Sequence, residues 1–196
     1  MLREKNLGSK YVFRGRILNV RVDTVLLPDG RESTREIVEY SGAVAVVALT
    51  AAMEVVLVRQ YRHAVGRELI EIPAGKIEEG EEPEACARRE LMEETGCRAD
   101  SWRCLGRFYS TPGFSSELMY LYLARDLTLS QEVPDEEEFL QVVRVPFGKA
   151  LDMALAGEIC DAKSICGLLW ASRVIERFEV RGSGSRDRTG DAPSLL

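Results

Sequence analysis

The chain has 196 residues, is 45% hydrophobic and 30% charged, and carries a formal net charge of −6, which suffices for one domain with a full core. A pI near 5.1 and the lack of a basic stripe argue against a nucleic-acid partner. No stretch approaches the run of about 18 uncharged apolar residues that crosses a bilayer, so no membrane partner is expected.

The opening Met1-Leu2-Arg3-Glu4-Lys5-Asn6 lacks an apolar signal core. Cysteines 86, 97, 104, 160 and 166 form an odd set without metal-type pair spacing. Reduced thiols in a cytoplasm are the expectation. Residues 11 to 27 carry β-type runs, with Val20, Val22, Thr24 and Leu26 on alternate positions. Pro28-Asp29-Gly30 signals a turn, and Glu36 to Tyr40 resumes strand character. Residues 1–40 thus read as an N-terminal β-meander. The almost wholly apolar run Ala43 to Leu49 predicts a strand buried on both faces, and Val55 to Tyr61 a second. The lone histidine, His63, is too little for a triad or zinc site and reads as a surface or strand-end residue.

Pro83 to Thr95 suits a helix, with proline tolerated in its first turn. Trp102 to Tyr109, Leu118 to Ala124 and Gln141 to Val145 read as strands. Ala150, Leu151, Ala154 and Leu155 give Phe147 to Leu155 a helical period, and Ile165, Leu168, Leu169 and Val174 do so for Lys163 to Phe178. Residues 181–196 are Gly, Ser, Arg, Asp and Pro in the main and read as a disordered tail. Residues 41–180 are then the main domain. Strands mixed with helices imply an α/β/α sandwich around a mixed sheet.

The most informative stretch is Gly75 to Cys97. On a helix, Glu90 and Glu94 stack four apart, and Glu93 joins them three beyond Glu90. Taken alone, an acidic helix face is a solvated face. Three like charges also repel, and a divalent cation would resolve that. Clustered carboxylates near a backbone carbonyl are hard-oxygen ligands suited to Mg²⁺ or Mn²⁺.

The pattern is Gly75, five residues, Glu81, seven residues, then Arg89-Glu90, an apolar residue, Met92, Glu93-Glu94, Thr95, Gly96 and Cys97. It resembles the signature of the Nudix hydrolases at every fixed position; only Cys97 stands where an aliphatic is usual. Outside the box, Pro112 lies sixteen residues past Gly96. With Arg35 to Glu39, Val58 to Arg62 and Glu68 to Gly75, it resembles the ADP-ribose pyrophosphatase subfamily, over about residues 10 to 178.

That resemblance implies a Nudix α/β/α sandwich with an N-terminal β-meander, and Mg²⁺-dependent hydrolysis of ADP-ribose to AMP and ribose 5-phosphate, with Mn²⁺ as the alternative metal. By it, Glu90 and Glu94 hold the metal with the Ala74 carbonyl, and Glu93 is a further ligand or stands just behind. Arg89 orients Glu93 or Glu94, and Gly75 and Gly96 serve backbone turns. Glu81 opens the helix in a structural role, with metal binding as the alternative. Arg35 and Glu36 contact adenine across a homodimer interface made by the meander. Arg62 takes phosphate, Glu71 the ribose side or Arg62, and Glu117 supports the site from behind. The acidic segment Pro134 to Phe139 is implied to deliver the general base, Glu136 first and Glu138 second. The expected partner is a small nucleotide-sugar substrate. Three alternatives remain: another nucleoside diphosphate sugar such as ADP-glucose or GDP-mannose, an oxidised nucleoside triphosphate, and a non-catalytic nucleotide-binding domain.

Overall fold

A computed structural model describes residues 2–129 and 139–182, the side chains of 177–182 excepted. Glu136 and Glu138 lie outside the described residues, as do residues 183–196 of the expected tail.

Three antiparallel strands, β1 (Lys5–Arg14), β2 (Asn19–Leu26) and β3 (Glu32–Glu39), form a separate N-terminal sheet in the order β1-β2-β3. The turn signal at Pro28-Asp29-Gly30 joins β2 to β3: Leu27 accepts from Gly30 N–H, and Gly30 takes a φ of +86° that suits glycine. β1 begins six residues ahead of the expected strand run. Its whole length is exposed, so it carries no inside-outside alternation to read.

The main sheet is mixed. β10 (Leu140–Pro146), β5 (Glu54–Arg62), β4 (Ala43–Leu49), β9 (Leu118–Leu129) and β8 (Cys97–Tyr109) stand in that order, with β6 (Arg67–Glu71) on β5 and β7 (Ala74–Lys76) on β4. The β4–β9 pairing is parallel and the others are antiparallel. Every residue of β4 is buried, because both of its faces are covered. Ala43, Ala45, Val47 and Leu49 pack with Phe147, Ala150, Met153, Leu168 and Ala171 of α2 (Phe147–Leu155) and α3 (Ala162–Gly182). Val44, Val46 and Ala48 pack with Cys86, Ala87 and Leu91 of α1 (Pro83–Thr95) on the other face. The period of two along β4 thus builds two cores and the α/β/α sandwich.

Both expected short helices have the observed bounds, while α3 begins at Ala162 and runs to Gly182. β8 starts at Cys97, five residues before the expected strand, and β9 runs on to Leu129. β6 and β7 are short strands that the sequence reading left unassigned, split by Pro73.

Candidate active site

β7 is short, and its place decides the site. Pairing with Ala43 to Ala45 sets Ala74 and Gly75 against the inner face of α1. α1 starts with Pro83 in its first turn and stops at Gly96, whose φ of +66° lets its N–H return to the Met92 carbonyl. Between these ends the acids fall on the face toward β7. Glu94 is 4% exposed and accepts from the Ala74 N–H at 2.9 Å. Glu90 lies against Gly75 so closely that a Cβ there would stand 1.8 Å from its carboxyl carbon. Any larger residue at position 75 would therefore displace the Glu90 carboxylate.

Arg89 is the hub of the acids. It binds Glu81 through two oxygens, at 2.9 and 3.0 Å, and donates from Nη1 to Glu90 and Glu93, each at 2.8 Å. The Arg89 hydrogen bonds hold the Glu81 carboxyl down at about 2, against its burial, with help from the Glu78 N–H. Burial pushes the neighbouring Cys86 thiol up to about 12, so it is inert at neutral pH. Arg89 thus touches Glu93, Glu90 and Glu81, and Glu94 is held by β7.

Three carboxylates here, Glu81, Glu90 and Glu93, share the Arg89 guanidinium, and Glu94 beside them adds a fourth negative charge against that one positive charge. Hard oxygens with a surplus of negative charge fit a divalent cation. Among the described residues no three acid, histidine or cysteine side chains already converge in a metal cage. The donor chemistry fits, and the carboxylates in this conformation are turned to Arg89 and the Ala74 amide.

A cavity of about 450 Å³ runs from Ala74 and Gly75 to Arg62, Asp161 and Lys163, with Tyr40 and Glu117 also in its wall. The segment holding Pro112 shapes this wall. Val38 donates to the Phe114 carbonyl at 2.7 Å and accepts from the Ser116 N–H, while the Ser116 hydroxyl accepts from Tyr40 N–H. These bonds tie the end of β3 to the start of β9 and bring Tyr40 and Glu117 together. Burial, then the Glu117 charge, raises the Tyr40 phenol above its ordinary range.

At the far end, Glu71 is only 1% exposed. It accepts from Arg62 Nε and Nη2 at 2.9 and 2.7 Å and from the Lys163 ammonium. Burial alone would raise its pKa; the Arg62 and Lys163 contacts outweigh that and lower it. The Glu71 bond and charge raise Arg62 further. Arg62, one of the two expected partners for Glu71, is in contact with it.

Arg35 and Glu36 do not line this cavity in their own chain. Arg35 is bound to Glu4 and Ser33, and Glu36 is exposed on β3. Asp161 and Lys163 were missed by sequence reasoning. The one signal was local: Asp161 accepts from Ser164 N–H at 3.1 Å as an N-cap, a pattern visible in Asp161-Ala162-Lys163-Ser164.

Comparison with known proteins gives two adjoining family matches. A family model described as NUDIX domain matches residues 39–166, and one described as nucleoside diphosphate sugar hydrolase N-terminal domain matches residues 4–38. The chain is 42% identical over 165 residues to an ADP-ribose pyrophosphatase of Bacillus subtilis, covering 83% of this chain and 89% of that one. It is 39% identical to a methanol dehydrogenase activator of Bacillus methanolicus, over 84% of this chain and 90% of that one. It is 38% identical to an ADP-ribose pyrophosphatase of Mycobacterium tuberculosis, over 89% and 86%. A solved ADP compounds hydrolase shares the fold, with TM-score 0.81 and 24% identity over 90% of this chain and 96% of that chain.

Proposed function

The chain belongs to the NUDIX family, and from that premise we propose that it hydrolyses the pyrophosphate of ADP-ribose to AMP and ribose 5-phosphate. The observation that carries the reading is a cavity that runs from Ala74 and Gly75, against which Glu94 and Glu90 of α1 lie, to Arg62. Two relatives named for this activity, at 42% and 38% identity over most of the chain, support the substrate.

Glu90, Glu94 and the Ala74 carbonyl would hold Mg²⁺, or Mn²⁺ in its place, with Glu93 as a further ligand. The metal supplies charge neutralisation to a pyrophosphate that otherwise repels an attacking hydroxide. Glu71 holds the Arg62 Nε and Nη2, which leaves the Nη1 edge without a partner among the described residues and open to phosphate oxygens. Glu71 fixes the aim of that guanidinium, and Arg89 and Glu81 brace the α1 acids. A water adds to phosphorus, the bond to the bridging oxygen breaks, and the water's proton passes to Glu136, with Glu138 as the second candidate. Gly75 and Gly96 allow the backbone approach and the helix stop. Glu117 supports the cavity wall beside Tyr40.

The protein acts as a homodimer in this proposal. Tyr11, Val12 and Phe13 on β1 are 38 to 57% exposed, an apolar strip on the N-terminal sheet. Arg35 and Glu36, outside their own cavity, then reach adenine in the partner's. Light scattering giving the 21.9 kDa of one chain would contradict this. Free cysteines at all five positions fit a reducing cytoplasm.

The deciding experiment is AMP release from ADP-ribose, ADP-glucose, NADH and diadenosine polyphosphates, with GMP release from GDP-mannose and 8-oxo-dGMP release from 8-oxo-dGTP alongside, in Mg²⁺ and in chelator. Fastest release from ADP-ribose, dependent on metal, is expected. The match of residues 4–38 to a nucleoside diphosphate sugar hydrolase segment favours ADP-glucose or GDP-mannose as the second reading. The methanol dehydrogenase activator among the relatives gives the binding-module reading its one observation. Binding of ADP-ribose without product in Mg²⁺ would favour that reading.

A further inference from the structure

β7 stands between two openings. Its side chains alternate from face to face. Gly75 faces Glu90 of α1, while Ala74 packs on the opposite face with Tyr40, Phe108 and Met119. Lys76 lies two residues beyond Ala74, so its side chain leaves the strand on that same face. There it lines the cavity that holds Arg62. At the end of the strand it also lines a hollow of about 830 Å³ whose wall contains Arg89 and Glu90. No other described residue lines both.

The main chain at this junction is fixed and the side chain is free. The Lys76 carbonyl accepts from Arg89 Nη2 at 3.3 Å and from the Cys86 thiol at 3.4 Å. The other two cations of the cavity wall are committed, Arg62 to Glu71 and Lys163 to Glu71 and Asp161. The Lys76 ammonium has no carboxylate partner among the described residues. It stands over the Tyr40 ring, 6.0 Å from the centroid, at the outer edge of a cation–π contact. An exposed lysine is ordinarily a solvated charge. This one lies between an arginine edge open to phosphate and acids suited to a divalent cation, and no described residue takes any of its three N–H donors. We propose that Lys76 binds the pyrophosphate where it passes from the Arg62 cavity to the α1 acids, donating to a phosphoryl oxygen and leaving the Tyr40 ring to do so. A compact ammonium on a flexible stem suits such a point contact. The proposal rests on the hydrolase reading above and adds to it the residue that joins its two halves.

Lys76→Met tests this, since it keeps most of the stem and removes the charge. kcat/KM for ADP-ribose should fall by roughly 10- to 100-fold, the range for a hydrogen bond to a charged group, chiefly through KM. Lys76→Arg restores a charged donor and should recover most of the loss. The melting temperature of both variants should equal that of the wild type, because no described residue loses a partner. Calorimetric binding of α,β-methylene ADP-ribose in Mg²⁺, which needs no turnover, should weaken in Lys76→Met by the same factor as KM. Unchanged KM and unchanged analogue binding overturn the proposal. So does an equal loss in Lys76→Arg and Lys76→Met with a lowered melting temperature, which marks a structural role. If Lys76→Met does not fold, Lys76→Gln is put through the same comparison with the same deciding outcomes. A wild type that binds the analogue but releases no product from any nucleoside diphosphate sugar overturns the hydrolase reading alone, and the binding comparison still decides on Lys76.

Discussion

The acid cluster behind Ala74 and Gly75 and the ion-pair cluster at Arg62 are built on opposite electrostatic plans. At β7 and α1 three carboxylates share Arg89, and a fourth, Glu94, sits on the Ala74 amide. At the β5–α3 end two carboxylates meet two cations. The first set is incomplete without added positive charge. The second is already neutral, with Glu71 sealed beneath Arg62 and Lys163. On the proposed function, the contrast separates a place for chemistry from a place for recognition, because only the unbalanced cluster gains from a bound cation. Substitutions at the first end should fall on turnover, and those at the second on stability and substrate choice.

The largest expected effect is Glu94→Gln. It keeps the shape and the Ala74 amide contact while removing one negative charge from the unbalanced end. Turnover at saturating Mg²⁺ should fall by about 10²–10³-fold, the scale for losing one preorganised electrostatic group, with the melting temperature held or raised. Steady-state AMP release with a thermal melt checks both halves. A fully active, metal-dependent Glu94→Gln protein would break the assignment of this end to catalysis.

Glu71→Gln tests the other end. It leaves Arg62 and Lys163 facing one neutral amide in a buried place. Removing one partner from a buried ion pair costs about 3 kcal/mol at the low end of the usual range, and Arg62, 41% exposed, keeps the cost there. Urea unfolding should show the loss in midpoint without a change in slope. An unaltered midpoint would mean that this cluster contributes nothing to the fold.

How much of this contrast was legible depends on where partners lie along the chain. α1 could be bounded because its stop signals are local: Pro83 within the first turn and Gly96 just past the end. β4 could be read because both of its faces are apolar. Gly75, Glu90 and Glu94 sit within one contiguous pattern, so the acidic end was visible as a set. The neutral end was not. Glu71 and Lys163 are 92 residues apart, and no periodicity relates a strand end to a helix cap that far away. Arg62 and Glu71 could be named by resemblance, but Lys163 and Asp161 carried only a local capping signal. β1 was hidden for another reason, since a fully exposed strand has no alternation to betray it.

Gly75→Ala sharpens the acidic end by geometry alone. The new methyl would stand 1.8 Å from the Glu90 carboxyl carbon, so Glu90 must leave its place on β7. The group in the way is the end of a flexible side chain, so the cost sits at the low end of the roughly 1–3 kcal/mol that overpacking brings. Turnover should fall together with the melting temperature, because the displaced group is one of the acids. Full turnover in a destabilised protein would remove Glu90 from the catalytic set and leave Gly75 a purely structural residue.

The smallest effect is the most specific to the Arg89 hub. The Arg89 hydrogen bonds hold the Glu81 carboxyl at about 2 in the fold, against 4.5 for an ordinary glutamate. A carboxyl with a lowered folded-state pKa binds fewer protons folded than unfolded, so its stabilisation is complete above the unfolded value. It is lost as pH falls from about 4.5 toward 2. Glu81→Gln lacks this titration. The gap in unfolding midpoint between wild type and Glu81→Gln should therefore be constant from neutral pH to about pH 5 and close below it. Its full size should be on the order of 1 kcal/mol, the upper range for a pair that water still reaches. Taking the difference cancels the other carboxylates that titrate in the same window. A gap still at its full size at pH 3 would place the acid sensitivity elsewhere and reduce Arg89 to a partner of Glu90 and Glu93 alone.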